Sequence, residues 1–594
     1  MMTVAQLRDL RTDVLTTRAG EWRTVVEWGE NGRAHVDRQM LAPLREKLTG
    51  ETATAAETRL QLIADNCEYA RLQAGLVHAA LLGLAEELAE VRARLRSSLA
   101  EAAEHGYPVA DDGGVSYPET LDEDGGVRYE AGTAVRSGSV IGRLLDRVGL
   151  PLSGHPVVAQ QLADRIGGAL QAAADIDTRY ARTLRELVCD RGLVVTDAMW
   201  RDAQSDLETA ATSIRGIGDV GDIPAGGTPE ENADWWRGLT EAEQDAFLAL
   251  RPAEVGALDG LPSETRDMAN RSVLQMEEAR LRGELAELRR RGPDEENPVD
   301  LLAWNSEQLR LEGHLAGISE IRGRFDATGV DGLPEAYLLG FATDGPGRAI
   351  VANGNPDHAH HTAVYVPGTG SDLSSVRGDL TRMDRLWQGS NSLAPGESVS
   401  TIMWLGYDAP NTAVPLDGGR VIPDATDPSY ARAAAADLTS FTAGLNESHR
   451  GDANHTTLVG HSYGSTVIGA AAQEGSLGAD DVVVAGSPGM LVTRASELGV
   501  RAEHVWAMEA DGDIVPDAGR FFLGGDMFDV RRGPYGLPVP DVNLFPPVPS
   551  DNHFGAQQMA TDTQGHSGYW DEGSGSLENQ ALVVVGRYDD VELK

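Results

Sequence analysis

Residues 455–472 read His-Thr-Thr-Leu-Val-Gly-His-Ser-Tyr-Gly-Ser-Thr-Val-Ile-Gly-Ala-Ala-Ala. A β-prone run turns through Gly-x-Ser-x-Gly directly into a helix of small residues. Few folds accept that order. The serine must stand on a strained strand-to-helix turn that lifts its hydroxyl above the end of a sheet. The flanking glycines are required where any side chain would clash, and small helix residues let the helix lie close to the strand. The hydroxyl also meets a helix N-terminus, which favours developing negative charge. The same letters could form a merely structural turn. The strand–turn–helix context instead selects Ser462 as a nucleophile, with Gly460, His461 and Gly464 forming the elbow.

The surrounding sequence supplies a sheet for this turn. After Gly332-Leu333-Pro334 come short apolar runs at 337–341, 349–351, 363–366, 401–405, 457–459, 482–485 and 505–507. The later ones are continuously apolar and separated by helical segments, as expected of buried parallel strands. The first two lie close together and predict an antiparallel hairpin at the sheet edge.

A serine nucleophile needs a base, and the base needs an orienting carboxylate. In this chain order the acid follows the serine and the histidine comes last. The loop after Val505-Trp506-Ala507-Met508 holds Asp511 and Asp513. Asp513, before Ile514-Val515, is the favoured acid and Asp511 the alternative. His566, between Gly565 and Ser567-Gly568, is the favoured base over His553. The oxyanion donors are expected from the Tyr463 amide and from Pro367-Gly368-Thr369-Gly370-Ser371, chiefly Thr369. That loop lacks the Gly-Lys-Ser/Thr ending of a phosphate loop. Asp357-His358-Ala359-His360-His361 has metal-ligand residue types, but they adjoin one another in a loop, so no metal and no cofactor is expected. Phe521 to Pro549, rich in Phe, Gly and Pro, falls where an apolar cap over the site would sit.

Upstream, the chain reads as helical. Leu7, Leu10, Val14 and Leu15, then Leu60 through Leu95, keep threes-and-fours spacing. They predict a helical hairpin turning near Thr49–Thr52 and ending near Ala103. Two Asp-Gly-Gly turns flank Val115–Tyr117 and Val127–Tyr129, predicting a small hairpin or ordered linker. Helix returns from Val157 to Ile214, and 216–227 reads as a Gly- and Pro-rich linker. Thr228-Pro229-Glu230-Glu231 opens a capped helix carrying Trp235-Trp236, which read as packing. Helices follow from Leu261-Pro262 and from Val299. The expected division is 1–103, a helical hairpin; 104–215, a β-turn linker and helical segment; 216–330, a linker and helical bundle; and 331–594, the sheet domain.

Composition narrows the function classes. A 594-residue chain that is 41% hydrophobic and 24% charged is folded and holds about four domains. Fifty Lys and Arg against ninety-two Asp and Glu leave a formal net charge of −42, which argues against nucleic acid or anionic lipid as a partner. Cys67 and Cys189 exclude a disulfide framework and are expected as free thiols. The N-terminus lacks signal-peptide character and no apolar run is long enough to span a bilayer. The expectation is a soluble, cytoplasmic chain, with leaderless secretion as the alternative.

The stretch from Asp331 to Val585 resembles actinobacterial α/β-hydrolases long catalogued as a domain of unknown function. The matching pieces are Val366–Ser371, Trp404–Pro410, Gly460–Ser465 and Gly565-His566-Ser567. The resemblance implies a triad of Ser462, an aspartate at the position of Asp513, and His566. The helical block around Ala233–Trp236 and Leu258–Pro262 is similar to the segment that commonly precedes such hydrolases. The N-terminal hairpin is similar to WXG-type hairpins linked to type VII secretion, with Leu48-Thr49-Gly50 where Trp-x-Gly would stand. The expected activity is a serine hydrolase, esterase- or lipase-like, acting on a small-molecule or lipid ester. The alternative is a secretion-linked effector or scaffold whose helical half binds a protein partner.

Overall fold

A computed structural model describes residues 2–594 except 122–123, 125, 137–153, 188–193, 216–222, 295, 412–415, 418–419, 422–423, 452–453, 517–529, 533–537 and 541–546; within 416–421 and 530–540 it describes backbone alone. Cys189 and most of the expected apolar cap lie outside the described residues. The N-terminal half is helical and the C-terminal half is an α/β domain.

The first half is built on a hairpin. Helix α1 (Thr12–His35) packs along α2 (Glu51–Glu104). The chain reverses where Leu48 becomes extended and Gly50 takes φ 102°, a conformation that favours glycine. Helices α3 (His155–Glu186), α4 (Asp197–Ser213), α5 (Pro229–Gly238) and α6 (Glu241–Leu250) follow in this half. Thr228 and Glu231 form the capping box that starts α5. Trp235 and Trp236 are buried, and Trp235 meets Phe247 edge to face at 5.0 Å. They pack with Leu76, Leu84 and Leu88 of α2 in one apolar core.

The small β segment pairs in two antiparallel ladders. Val115–Tyr117 pairs with Gly132–Ala134, and Thr120–Leu121 with Val127–Tyr129. The first Asp-Gly-Gly makes a local turn, with the Gly114 N–H on Asp112 Oδ1 at 3.0 Å.

The C-terminal sheet has eight strands: β1 (Ala336–Ala342), β2 (Arg348–Asn353), β3 (His361–Val366), β4 (Val399–Leu405), β5 (His455–His461), β6 (Asp481–Ala485), β7 (Val505–Met508) and β8 (Gln557–Gln558). Their spatial order is β8-β7-β6-β5-β3-β4-β2-β1. From β4 to β8 the neighbours are parallel, and β1 and β2 form the expected antiparallel hairpin at the edge. Alternate side chains serve opposite faces. Leu458, Val482 and Val484 join α10 (Ser429–Ser448) and α11 (Tyr463–Glu474) on one side. Val459, Val483 and Ala485 join α9 (Val376–Leu393) and α12 (Gly575–Val584) on the other. Helices cover both faces, which is why the centres of these strands carry apolar residues towards both.

The halves are joined by apolar and ionic packing. Helices α7 (Ser263–Arg291) and α8 (Pro298–Asp326) place Leu281, Leu285, Ile318 and Ile321 in the core beneath the sheet. Their other surfaces meet α1 and α2 through buried charge. Glu68 receives Arg33 at 3.0 Å, Arg71 at 2.7 Å and the Ser272 hydroxyl at 2.7 Å. Arg322 of α8 bridges Asp65 at 3.1 Å and Glu278 at 2.5 Å. Burial pushes the Glu68 carboxyl up, but Arg71 and Arg33 outweigh it and hold the group well below the usual range. Glu68→Ala would leave two buried guanidiniums short of a partner. The expected loss is about 3–5 kcal/mol, read as a lowered Tm of the full-length chain.

Candidate active site

Strand β5 ends at His461, and α11 begins at Tyr463. Between them Ser462 adopts φ 53°, ψ −127°, one of three non-glycine residues with positive φ among those described. The turn is held from several sides. The Ser462 N–H donates to the Ala485 carbonyl at 3.0 Å. A side chain on Gly464 would collide with the Val366 carbonyl oxygen, and one on Gly460 would lie 2.8 Å from Ser465 Cα. A side chain on Gly469 would strike the Met490 carbonyl oxygen. The glycines and small helix residues thus let α11 pack directly on the ends of β3 and β5 and on the segment after β6.

The loop after β3 approaches the serine closely. A side chain on Gly368 would lie 2.7 Å from Ser462 Cβ and 3.2 Å from its Oγ. Its neighbour Gly370 is committed, since its N–H donates to the Pro410 carbonyl at 2.8 Å. The Tyr463 amide is the first of α11 and has no intrahelical acceptor. Underneath, Asp379 receives the Tyr365 hydroxyl at 2.9 Å and Arg382 at 2.7 Å, while Tyr407 donates to the Pro367 carbonyl at 2.7 Å. These buried bonds hold Pro367–Ser371 in place; nothing in the motif itself announced them.

Asp513 and His566 meet although 53 residues apart: Nδ1 of His566 lies 3.0 Å from both oxygens of Asp513. The carboxylate also accepts the Tyr569 hydroxyl at 2.6 Å and the Val515 N–H at 2.9 Å. Burial raises the Asp513 pKa, but the bonds from His566, Tyr569 and Val515 together carry it below its ordinary value. Gly486, at the end of β6, has φ 59° and leaves the room these groups need: its side chain would lie 2.6 Å from Asp513 Oδ2 and 2.9 Å from His566 Nδ1. Asp511, the alternative acid, is exposed, and its backbone carbonyl holds Gly565 N–H at 2.9 Å. His553 is exposed on a separate turn.

His461 lies between the serine and the histidine loop. Its Nε2 is 2.8 Å from the His566 carbonyl and its ring centroid 4.7 Å from that of His566. Burial, then the charge of Arg382, holds its pKa well below the usual histidine range. The sequence singled out His461 as part of the elbow but gave it no contact with the base. Tyr569 and Gly486 carried no assigned role at all.

The residue types of 357–361 go to different partners. Asp357 accepts from Ser263 and Ser448, His360 meets Ser398, and His361 meets Glu397. Among the described residues no group of three or more His, Cys, Asp or Glu is arranged to hold a metal ion, and no helix is long and apolar enough to cross a membrane.

The family described as alpha/beta hydrolase matches residues 343–522. The uncharacterized protein Rv2079 of Mycobacterium tuberculosis is 29% identical over 392 residues, 62% of this chain and 57% of that protein. The chain thus spans little more than half of that relative's length. The uncharacterized protein Mb0988c of Mycobacterium bovis is 35% identical over 217 residues, 34% of this chain and 77% of its own length. No solved structure matches the chain.

A buried neutral histidine ties stability to pH. The folded pKa of His461 is depressed, so its contribution is complete above the unfolded value of about 6.5 and is lost as pH falls below it. Replacing it with glutamine, which does not titrate, is expected to flatten the decline in Tm between about pH 6.5 and pH 5, measured by thermal unfolding across that range.

Proposed function

We propose, on the premise that the chain belongs through its C-terminal part to the alpha/beta hydrolase family, that it is a serine hydrolase cleaving a carboxylic ester. The observation that carries the reading is the Asp513–His566 pair at 3.0 Å, tied by His461 to the elbow that bears Ser462. A hydrolase needs nothing from a cofactor for this chemistry.

In this reading Ser462 Oγ attacks the ester carbonyl carbon while His566 Nε2 takes the hydroxyl proton. The carbonyl oxygen becomes the oxyanion, held by the amides of Tyr463 and Thr369. The carbon–alkoxy bond then breaks, and the imidazolium gives its proton to the departing alcohol. Water, deprotonated by His566, attacks the acyl-enzyme; Ser462 recovers its proton and the acid leaves. Asp513 holds the imidazole with Nδ1 protonated and Nε2 free to accept. The depressed pKa of Asp513 supports that role, because the carboxylate stays ionised throughout.

The division into 1–103, 104–215, 216–330 and 331–594 is part of the proposal, with the last unit bearing the chemistry. A second reading makes the helical half a binding surface for a protein partner. Exposed Trp22 and Trp28 on α1, and Leu302 and Leu309 on α8, favour it. The WXG-type resemblance and leaderless secretion belong with that reading; a cytoplasmic enzyme belongs with the first.

Incubating the full-length chain with a fluorophosphonate probe separates the two. Labelling of the wild type that disappears in Ser462→Ala supports the hydrolase; an unlabelled wild type sinks it and favours the scaffold. On p-nitrophenyl esters of increasing acyl length, Asp513→Asn is expected to lower kcat by about four orders of magnitude with the fold intact by circular dichroism.

A further inference from the structure

Two hydrogen bonds around His566 lie outside the Ser462–His566–Asp513 set. We propose that Tyr569 and His461 are positioning residues for His566, Tyr569 acting through the Asp513 carboxylate and His461 through the His566 backbone carbonyl. The inference rests on the hydrolase reading for its consequences in catalysis, but its contacts stand on geometry alone.

Tyr569 is fully buried and its oxygen is committed twice. It donates to Asp513 Oδ2 at 2.6 Å and accepts the Ala510 N–H at 3.0 Å. The phenol therefore cannot turn to another acceptor. Burial, reinforced by the bond to Asp513, keeps it protonated. A donor fixed on Oδ2 draws charge from the carboxylate that faces His566 Nδ1. Asp513 then holds a protonated imidazole less strongly than a bare carboxylate would. It also keeps the carboxyl plane from rotating, so both oxygens stay 3.0 Å from Nδ1.

His461 acts from the other side. A carbonyl oxygen only accepts, so the 2.8 Å contact to the His566 carbonyl puts a proton on His461 Nε2. His461 directly precedes Ser462 in the chain. That single bond therefore fixes the loop bearing the base against the strand bearing the nucleophile. Trp570 closes the far side of the His461 ring, edge-on at 5.1 Å. The other charged groups around this cluster are Arg382 of α9, whose guanidinium lies 5.2 Å from the Trp570 ring centroid, Glu509 after β7, which acts on Tyr569, and exposed Asp511.

The test uses the full-length chain and two readouts: fluorophosphonate labelling rate against pH, and histidine NMR titration of His566. Tyr569→Phe should move the acid limb of labelling, and the NMR midpoint, up by about half a pH unit to one unit. Its maximal labelling rate should fall about tenfold. His461→Phe keeps a ring in place without the donor; it should lower the rate at every pH and leave the limb where it is. His461→Gln restores an N–H at similar reach and should recover most of the rate. An acid limb in Tyr569→Phe that coincides with the wild type overturns the role of Tyr569. A glutamine variant no better than phenylalanine overturns that of His461. If the wild type is not labelled while the NMR midpoint still moves in Tyr569→Phe, the hydrolase reading fails and the tuning of His566 by Tyr569 stands.

Discussion

The C-terminal half is organised by one steric constraint: α11 must lie close enough to the strand ends for a serine to stand at positive φ between them. Ser462 at φ 53° is a conformation that costs on the order of 1–3 kcal/mol for a residue with a side chain. It persists because the surrounding contacts leave no alternative. Gly464 lies against the Val366 carbonyl, Gly469 against the Met490 carbonyl, and Gly368 against the serine itself. Each contact admits hydrogen where a methyl group would collide. Three separate segments therefore converge on one turn, and their convergence brings a loop amide, a helix N-terminus and a hydroxyl together. The buried strands of both faces supply the opposing stability, at about 1.5–3 kcal/mol for each fully buried large aliphatic or aromatic side chain.

The second constraint is electrostatic. Asp513 is almost inaccessible, and an ion taken from water needs partners for its lone pairs. Here it has a histidine ring, a phenol and a backbone amide. Those donors come from two loops, one after β7 and one after β8, so satisfying the carboxylate also fixes the loops to each other. His461 represents the opposite solution: it is buried as a neutral ring, with its one N–H proton spent on the His566 carbonyl. A charge that is satisfied and a base that is kept neutral lie within one contact of each other. Environment, more than residue type, separates what the two groups do.

The sequence made much of this legible because strand periodicity and the Gly-x-Ser-x-Gly turn are local signals. The positions of the buried strands, the edge hairpin, the Thr228 cap and the turn at Gly50 all follow from residues a few places apart. Choosing between Asp511 and Asp513 was harder, since both stand in the same short loop. Burial separates them: Asp511 faces water and lends only its backbone, whereas Asp513 turns inward to His566. Tyr569 was not found because its partner is 56 residues away and nothing about a Tyr-Trp pair after a histidine announces a hydroxyl aimed at a carboxylate. The β segment of the first half was legible only as a small hairpin or ordered linker. Which strands pair there is set by register between distant residues, which two similar Asp-Gly-Gly turns do not specify.

The division between helical half and sheet domain, clear in composition near residue 331, is less sharp in packing. Helices α7 and α8 precede that point yet place Leu281, Ile318 and Ile321 beneath the sheet. Their opposite surfaces carry Glu278 and Arg322 into the charged joint with α1 and α2. An amphipathic helix normally turns its polar side to water; here the polar side is itself a contact. Ion pairs shielded from solvent are exacting about geometry because a displaced partner leaves a buried charge. The joint therefore couples the N-terminal hairpin to the back of the sheet, while the elbow opens at the carboxyl ends of the strands. The helical half reaches the sheet domain at further points: Gly317 of α8 lies against the Leu373 carbonyl, two residues after the loop that faces Ser462, and Asp259 accepts the Ser440 hydroxyl of α10 at 2.6 Å.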